Sequence, residues 1–189
     1  MQKQSQNLIV YFLSLFLFLT ILFSYHNQKS KFQYRKLKIY RKELNLKDNG
    51  AVNLFFSKEK PEIVILAAAK VGGILANINF PAEFLYENMM IQNNVIHSSY
   101  LHNVEKFCFL GSSCIYPKEC SQPIKESYLL TGPLEPTNEG YALAKISGLK
   151  MIEYYKSQFG FNGISIMPCN LYGTNDSFDL ERAHVLSSL

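Results

Sequence analysis

Glycine is absent from the beginning of this chain of 189 residues, in which the first glycine is Gly50. Because glycine has no side chain, it lets a backbone approach a pyrophosphate closely. Nucleotide-binding α/β proteins normally place a glycine-rich turn between their first strand and the helix that holds the pyrophosphate. The absence therefore excludes a glycine-rich phosphate-binding loop before Gly50.

Charge is absent from Leu8 to Tyr25, an apolar run of 18 residues. As a helix this run is about 27 Å long, close to the roughly 30 Å hydrocarbon core of a bilayer. Its apolar residues surround the whole helix, and no clear small-residue cleavage site follows it. The run predicts an N-terminal hydrophobic helix over residues 8–25. The basic residues that follow would keep the remainder on the cytoplasmic side, so a single-pass anchor is the alternative to a cytoplasmic protein.

Metal-ligand spacing is also absent from the four cysteines, which are Cys108, Cys114, Cys120 and Cys169. We expect free thiols and no metal site, because a disulfide framework is unusual in a cytosolic enzyme. The net charge of +4 is mild, and the basic cluster between Lys29 and Lys42 is interpreted as a solvated segment rather than a nucleic-acid site. Length and composition are those of one globular domain.

From residue 41 onwards, strand-like and helix-like segments alternate. Buried strands are predicted at Glu62–Ala69, Lys106–Leu110 and Gly163–Met167, and helices at Pro81–Asn103 and from Thr137 or Asn138 to Gly160. The alternation predicts an α/β fold with a doubly wound parallel sheet.

Tyr141 and Lys145 are four residues apart, so on a helix they share one face. An ammonium beside a phenol favours the phenolate, which would bring the pKa of the tyrosine down from about 10. A hydroxyl from Ser112 or Ser113 could hold a carbonyl oxygen against that phenol. These groups suit reduction of a ketone with a nicotinamide as hydride carrier. The spacing alone is common in helices, so the interpretation depends on the surrounding motifs.

Five motifs carry a family resemblance: LAAAKVGG (Leu66–Gly73), FLGSSCIYPK (Phe109–Lys118), TGPLEPTNEGYALAK (Thr131–Lys145), MPCNLYG (Met167–Gly173) and NDSFDLERAHV (Asn175–Val185). In this order they resemble the GDP-L-fucose synthases, which are extended short-chain dehydrogenase/reductases with epimerase and reductase activities. The resemblance implies a Rossmann-like fold, NADPH as cofactor, GDP-4-keto-6-deoxy-D-mannose as substrate and a homodimer. The residues of the motifs GSSCIYPK and LEPTNEGYA disfavour a general sugar-nucleotide epimerase of different specificity.

The resemblance also implies catalytic roles. Ser112 would orient the keto group, Tyr141 would donate its proton, and Lys145 would lower the tyrosine pKa while touching the nicotinamide ribose. Cys114 and His184 match the pair that exchanges protons during epimerisation. Their side-chain types, with reference pKa values of about 8.5 and 6.5, suit proton transfer near neutral pH.

Cofactor contacts are implied for a further set of residues. Arg41 would meet the 2′-phosphate of NADP, although a solvent-facing charge is an equal alternative. The residues implied to line the cofactor are Leu110, Gly111, Ser112, Ser113, Lys145, Pro168, Cys169, Asn170, Leu171 and His184.

The chain departs from the family pattern at single residues and at its ends. Gly140 replaces a usual proline, Cys169 a threonine and Thr174 a proline. The apolar run stands where the family has its first strand and loop, so we expect the first βα unit to be replaced. We expect residues 1–40 to be a non-family segment and residues 41–189 a partial NADP-binding domain that lacks the smaller substrate domain. A frameshift or gene-model error and a decayed gene are favoured over a real membrane anchor. The alternative function is an inactive or membrane-tethered remnant with a pairing role.

Overall fold

A parallel sheet forms the centre of the molecule. The computed structural model describes residues 7–11, 35–39 and 43–168. Within these residues the sheet has five strands in the order β2-β1-β3-β4-β5, and all neighbouring pairs are parallel. The strands are β1 (Asn7–Tyr11), β2 (Arg35–Ile39), β3 (Ile63–Leu66), β4 (Lys106–Leu110) and β5 (Gly163–Ile166).

Helices connect and cover these strands. They are α1 (Asn49–Glu59), α2 (Ile74–Asn79), α3 (Pro81–Leu101) and α4 (Glu139–Phe159), with 3₁₀ turns at Ser113–Ile115, Glu126–Tyr128 and Pro136–Asn138. Local signals explain their ends: the Asp48 side chain accepts from the amide of Ala51 at the start of α1, and Pro81 begins α3. Gly160 ends α4 with φ at +69°, a left-handed conformation that glycine adopts readily.

The first strand corrects the prediction for the N-terminus. Residues 7–11 are a strand and not the beginning of a helix over 8–25, and the sheet therefore keeps its first strand. β1 lies between β2 and β3, with Leu8 opposite Lys36 on one side and Ile63 on the other. A central parallel strand is covered on both faces and therefore reads as a continuous apolar run, which periodicity cannot distinguish from a buried helix.

The remainder of the predicted hydrophobic helix, residues 12–25, lies outside the described residues, as does most of the basic cluster. Within the part of the chain that the structure describes, no helix is long and apolar enough to cross a membrane.

The order of the strands determines where a ligand can lie. The chain passes from β1 to β2 on one side and then returns to β3 on the other side of β1, so the direction of winding reverses between β1 and β3. In open α/β sheets, ligands bind outside the carboxyl ends of the strands at such a switch point. The switch point therefore lies at the carboxyl ends of β1 and β3, and β4 delivers its last residues to the same edge of the sheet.

Two clusters of buried hydrophobic side chains pack against the sheet and the segment that follows β4. One buried cluster surrounds the sheet and includes Phe56, Val64, Phe107 and Phe109. A smaller cluster (Ile115, Leu134, Ala142, Ile146 and Leu149) joins the segment after β4 to one face of α4.

The two long helices are joined by a buried polar contact. The Gln92 side chain of α3, 2% exposed, donates to the Ala144 carbonyl of α4 at 2.6 Å and to the Ser147 hydroxyl at 2.8 Å. Buried amides need such partners to offset their desolvation. This contact fixes the position of α4 along the axis of α3, and therefore the position of Tyr141, which α4 carries.

Candidate active site

The segment after β4 brings a serine and a cysteine to the carboxyl end of the sheet. Ser112 caps the 3₁₀ turn Ser113–Ile115, and its hydroxyl accepts from the Cys114 amide at 3.5 Å. Gly111 is buried, donates its amide to the Ile166 carbonyl at 2.8 Å, and leaves room that the Met167 side chain occupies. The strand end is thus anchored on β5 while Ser112 and Cys114 stay partly accessible.

Helix α4 brings the tyrosine and the lysine to the same place. Lys145 is 4% exposed, and its ammonium donates to the Leu110 carbonyl, the last of β4, at 2.8 Å. The same nitrogen lies 5.6 Å from the centre of the Tyr141 ring. The Cys114 thiol interacts electrostatically with both side chains. The structure therefore brings together Ser112, Cys114, Tyr141 and Lys145, as their sequence positions predicted.

The pKa of the tyrosine moves in the direction opposite to the sequence-based expectation. Burial raises the pKa of Tyr141 above its ordinary value, and charge on Cys114 raises it further. Desolvation is the larger cause, because a buried phenol is harder to ionise, and the Lys145 ammonium donates its hydrogen bond to the Leu110 carbonyl. Tyr141 is therefore protonated at neutral pH, the state that a proton donor needs.

Burial also controls the other two titrating groups. It lowers the pKa of Lys145 to about 8, while interaction with Cys114 opposes that shift. It raises the pKa of the Cys114 thiol, while a hydrogen bond with Ser112 and the charge of Lys145 act in the opposite direction. At pH 7 Lys145 is still mainly an ammonium, so the site holds one positive charge beside a phenol and a thiol.

The loop after β3 forms the neighbouring wall and is fixed by α3. The buried Asn88 side chain accepts from the Lys70 amide at 2.8 Å, and donates to the Lys70 carbonyl at 3.0 Å and to the Phe84 carbonyl at 2.7 Å. The Lys70 ammonium pairs with Glu83 and, at 2.8 Å, with Glu87. The oxygen and the nitrogen of the Asn88 amide are both engaged, and they tie this loop to α3.

The remaining predicted cofactor residues divide into described and undescribed positions. Leu110 is buried, Ser113 is exposed and Pro168 is half-buried at the end of the described chain. Arg41, Cys169, Asn170, Leu171 and His184 lie outside the described residues, and their assignments stay predictions.

The start of α4 has two features that concern the predicted cap and the Gly140 replacement. Asn138 occupies the N-cap position, but its side chain makes no capping hydrogen bond and its buried Oδ1 has no partner among the described residues. A Cβ on Gly140 would lie 2.8 Å from the Pro81 carbonyl oxygen. The glycine thus allows the beginning of α3 to approach the helix turn that carries Tyr141.

Sequence reasoning assigned no role to Phe109 or Asn88. The Phe109 ring lies 4.8 Å from the Lys145 ammonium, and Asn88 fixes the loop after β3. For Asn88 the sequence offered one signal, a polar residue on the buried face of a helix, which indicates a hydrogen-bonding role. Phe109 carried none, because an aromatic residue in a buried strand is ordinary.

Comparison with known proteins shows which family the chain matches. Residues 19–189 match the NAD dependent epimerase/dehydratase family. A GDP-L-fucose synthase of Sinorhizobium fredii is 57% identical over 149 residues, which are 79% of this chain and 48% of that protein. A putative GDP-L-fucose synthase 2 of Arabidopsis thaliana is 60% identical over 147 residues, 78% of this chain and 45% of that protein. The chain spans about half the length of the curated relatives it matches.

A solved structure supports the fold. The GDP-L-fucose synthetase of Naegleria fowleri bound to NADP superposes with a TM-score of 0.84 at 29% identity, covering 100% of this chain and 61% of that one. With the family match across most of the sequence and a parallel sheet of the same architecture, the chain belongs to the NAD-dependent epimerase/dehydratase family.

Proposed function

We propose that this chain contributes the cofactor-binding and catalytic part of a GDP-L-fucose synthase. The proposed reaction converts GDP-4-keto-6-deoxy-D-mannose to GDP-L-fucose by epimerisation at C3 and C5 and reduction at C4. The names of the relatives at 57% and 60% identity support this choice of substrate. The observation that carries the proposal is the meeting of a serine, a cysteine, a tyrosine and a lysine at the end of β4.

In the proposed reduction, Tyr141 donates its proton to the C4 keto oxygen. Its raised pKa keeps the phenol protonated at neutral pH. The Ser112 hydroxyl donates a hydrogen bond that orients the same oxygen. The Lys145 ammonium stabilises the phenolate that remains after proton donation, because a nearby positive charge favours the anionic form.

The nicotinamide ribose end of NADPH fits the described residues, whose donor set offers a buried ammonium and hydroxyl groups at the carboxyl edge of a parallel sheet. When bound, it supplies the hydride for C4, so that the ketone becomes an alcohol with the Tyr141 proton and the cofactor is released as NADP⁺. The residues proposed to hold it are Leu110, Gly111, Ser112, Ser113, Lys145, Pro168, Cys169, Asn170, Leu171 and His184, with Arg41 for the 2′-phosphate.

In the proposed epimerisation, Cys114 and His184 exchange protons with C3 and C5. These carbons flank the C4 keto group, which makes their hydrogens acidic. A proton leaves one face of each carbon and another is added to the opposite face, so no electrons are gained or lost. The position of Cys114 beside Tyr141 supports one site for both half-reactions.

We also propose that the chain forms a homodimer through α3 and α4. These helices carry large exposed side chains, with Tyr86 64%, Leu143 42% and Tyr154 65% exposed. Burying such surface against a second copy is favourable. Sedimentation equilibrium tests this: the mass of two chains is expected, and the mass of one chain at all concentrations would refute it.

The activity is tested by incubating the purified chain with NADPH and the keto-sugar nucleotide, then following NADPH absorbance and separating the products. Tyr141→Phe is expected to abolish reduction, whereas the matched Tyr128→Phe keeps it. Cys114→Ser is expected to yield a reduced sugar with the original C3 and C5 configuration, whereas Cys120→Ser yields the epimerised product. NADPH binding is measured in parallel by fluorescence. A folded chain that binds no NADPH would refute the proposal.

A further inference from the structure

Lys145 presents a physical problem, because its charge is buried and has no counter-charge among residues 43–168. Its side chain is 4% exposed. Among residues 43–168, no carboxylate lies within salt-bridge distance of its ammonium; the ion pairs found there belong to Lys47, Lys70, Lys118 and Lys150. An unpaired buried ammonium normally loses its proton or finds other compensation.

Two kinds of contact compensate the charge. The Leu110 carbonyl accepts one hydrogen bond at 2.8 Å. The ammonium also lies 4.8 Å from the centre of the Phe109 ring and 5.6 Å from that of Tyr141. The negative face of an aromatic ring attracts a cation within about 6 Å, and more strongly where water is excluded. Phe109 is the nearer ring and is 1% exposed.

The packing of α4 admits this ring. Gly148 lies one turn after Lys145, and a Cβ on Gly148 would lie 2.7 Å from the Phe109 Cζ atom. A side chain there would displace the ring from beneath the ammonium. The position of the Phe109 ring under Lys145 therefore depends on the glycine at position 148.

We propose that Phe109 is a positioning residue for Lys145, holding its ammonium at the end of β4 through the face of the aromatic ring. Phe109 acts through its contact with the lysine. The consequence of this contact for reduction rests on the proposed function. The effect of Phe109 on the charge of Lys145 does not depend on that function. The titrating groups that face Lys145 within the described residues are Tyr141 on its own helix and Cys114 from the turn after β4.

The experiment is an NMR titration of the full chain labelled in its lysine side chains, with Lys145→Arg identifying the Lys145 signal. In Phe109→Leu the Lys145 pKa is expected to fall by roughly 0.4 to 1.5 units, because the ring stabilises the charged form. Phe107→Leu is the matched control. Phe107 is on the same strand, is also 1% exposed, and packs on Phe161 instead. The control is expected to leave the Lys145 pKa unchanged.

A second variant separates the ring's charge distribution from its volume. Site-specific replacement of Phe109 by pentafluorophenylalanine keeps the shape of the ring but reverses the sign of its face, so the Lys145 pKa is expected to fall without a cavity. This variant also serves if Phe109→Leu does not fold. Equal pKa shifts in the Phe109 and Phe107 variants, or no shift with the fluorinated ring, would overturn the proposal. Because the titration needs no NADPH or substrate, it can succeed even where the proposed activity fails.

Discussion

Replacing Gly148 by alanine tests how tightly α4 is packed against the sheet. The new Cβ would lie 2.7 Å from Phe109 Cζ and 2.9 Å from the Gln92 Oε1 atom, whereas ordinary contact begins at 3.4 Å. Overpacking of this kind costs about 1–3 kcal/mol. Displacing Gln92 weakens its hydrogen bonds to Ala144 and Ser147, at about 1 kcal/mol each. The higher helix propensity of alanine stabilises the helix by about 1 kcal/mol and offsets part of this loss. We expect a net loss of about 2–4 kcal/mol.

The assay is urea unfolding followed by circular dichroism. A loss of this size lowers the urea midpoint by about 1–2 M. Gly50→Ala is the matched control, because Gly50 lies in the first turn of α1 and its Cβ would meet only the Asp48 side chain at 3.4 Å. There the same exchange is expected to be neutral or stabilising by up to about 1 kcal/mol. If Gly148→Ala is as stable as the unaltered chain, the packing argument is refuted.

Three further outcomes are expected. Lys145→Met should slow alkylation of Cys114 at pH 7 severalfold, measured by peptide mapping with the other thiols as references, because removing the ammonium raises the thiol pKa further; an unchanged rate would contradict the coupling. Glu87→Gln should destabilise the chain at pH 7 in urea unfolding. The pKa of Glu87 is lowered to about 2 by its lysine partners, so its contribution is present above about pH 4.3 and is lost as the pH falls through about 2. A difference that persists below pH 2 would contradict this origin. Asn88→Ala should increase hydrogen exchange of the Lys70 amide, which loses its acceptor; unchanged protection would show that the loop is held by other contacts.

Local signals made several elements predictable from sequence. β4 is found at Lys106–Leu110 as predicted, α3 begins at Pro81, and α4 ends before Gly160. Each boundary depends on residues that act over a few positions, such as a proline at the first helical turn or a glycine with positive φ. Such signals do not require knowledge of the rest of the fold.

The beginning of the N-terminal apolar run was predicted wrongly, because the environment of Asn7–Tyr11 and not the pattern of these residues decides their structure. Residues 7–11 pair with β2 and β3 on both sides. A strand covered on all sides and a hydrophobic helix place the same demands on composition. Only the presence of two partner strands favours the extended conformation at Asn7–Tyr11.

By itself, the sequence determined the kinds of chemical group and their local spacing: Tyr141 one turn before Lys145, and Ser112 and Cys114 directly after a strand. These follow from helix geometry and from the alternation of strands and helices. The tertiary structure alone decided their electrostatic state. Burial raised the pKa of Tyr141, whereas the sequence suggested a lower pKa. The packing of α4 on β4 placed the Lys145 ammonium over the ring of Phe109, which is 36 residues earlier in the chain. Desolvation and ring contacts depend on what packs around a group, and that is established only when the chain has folded.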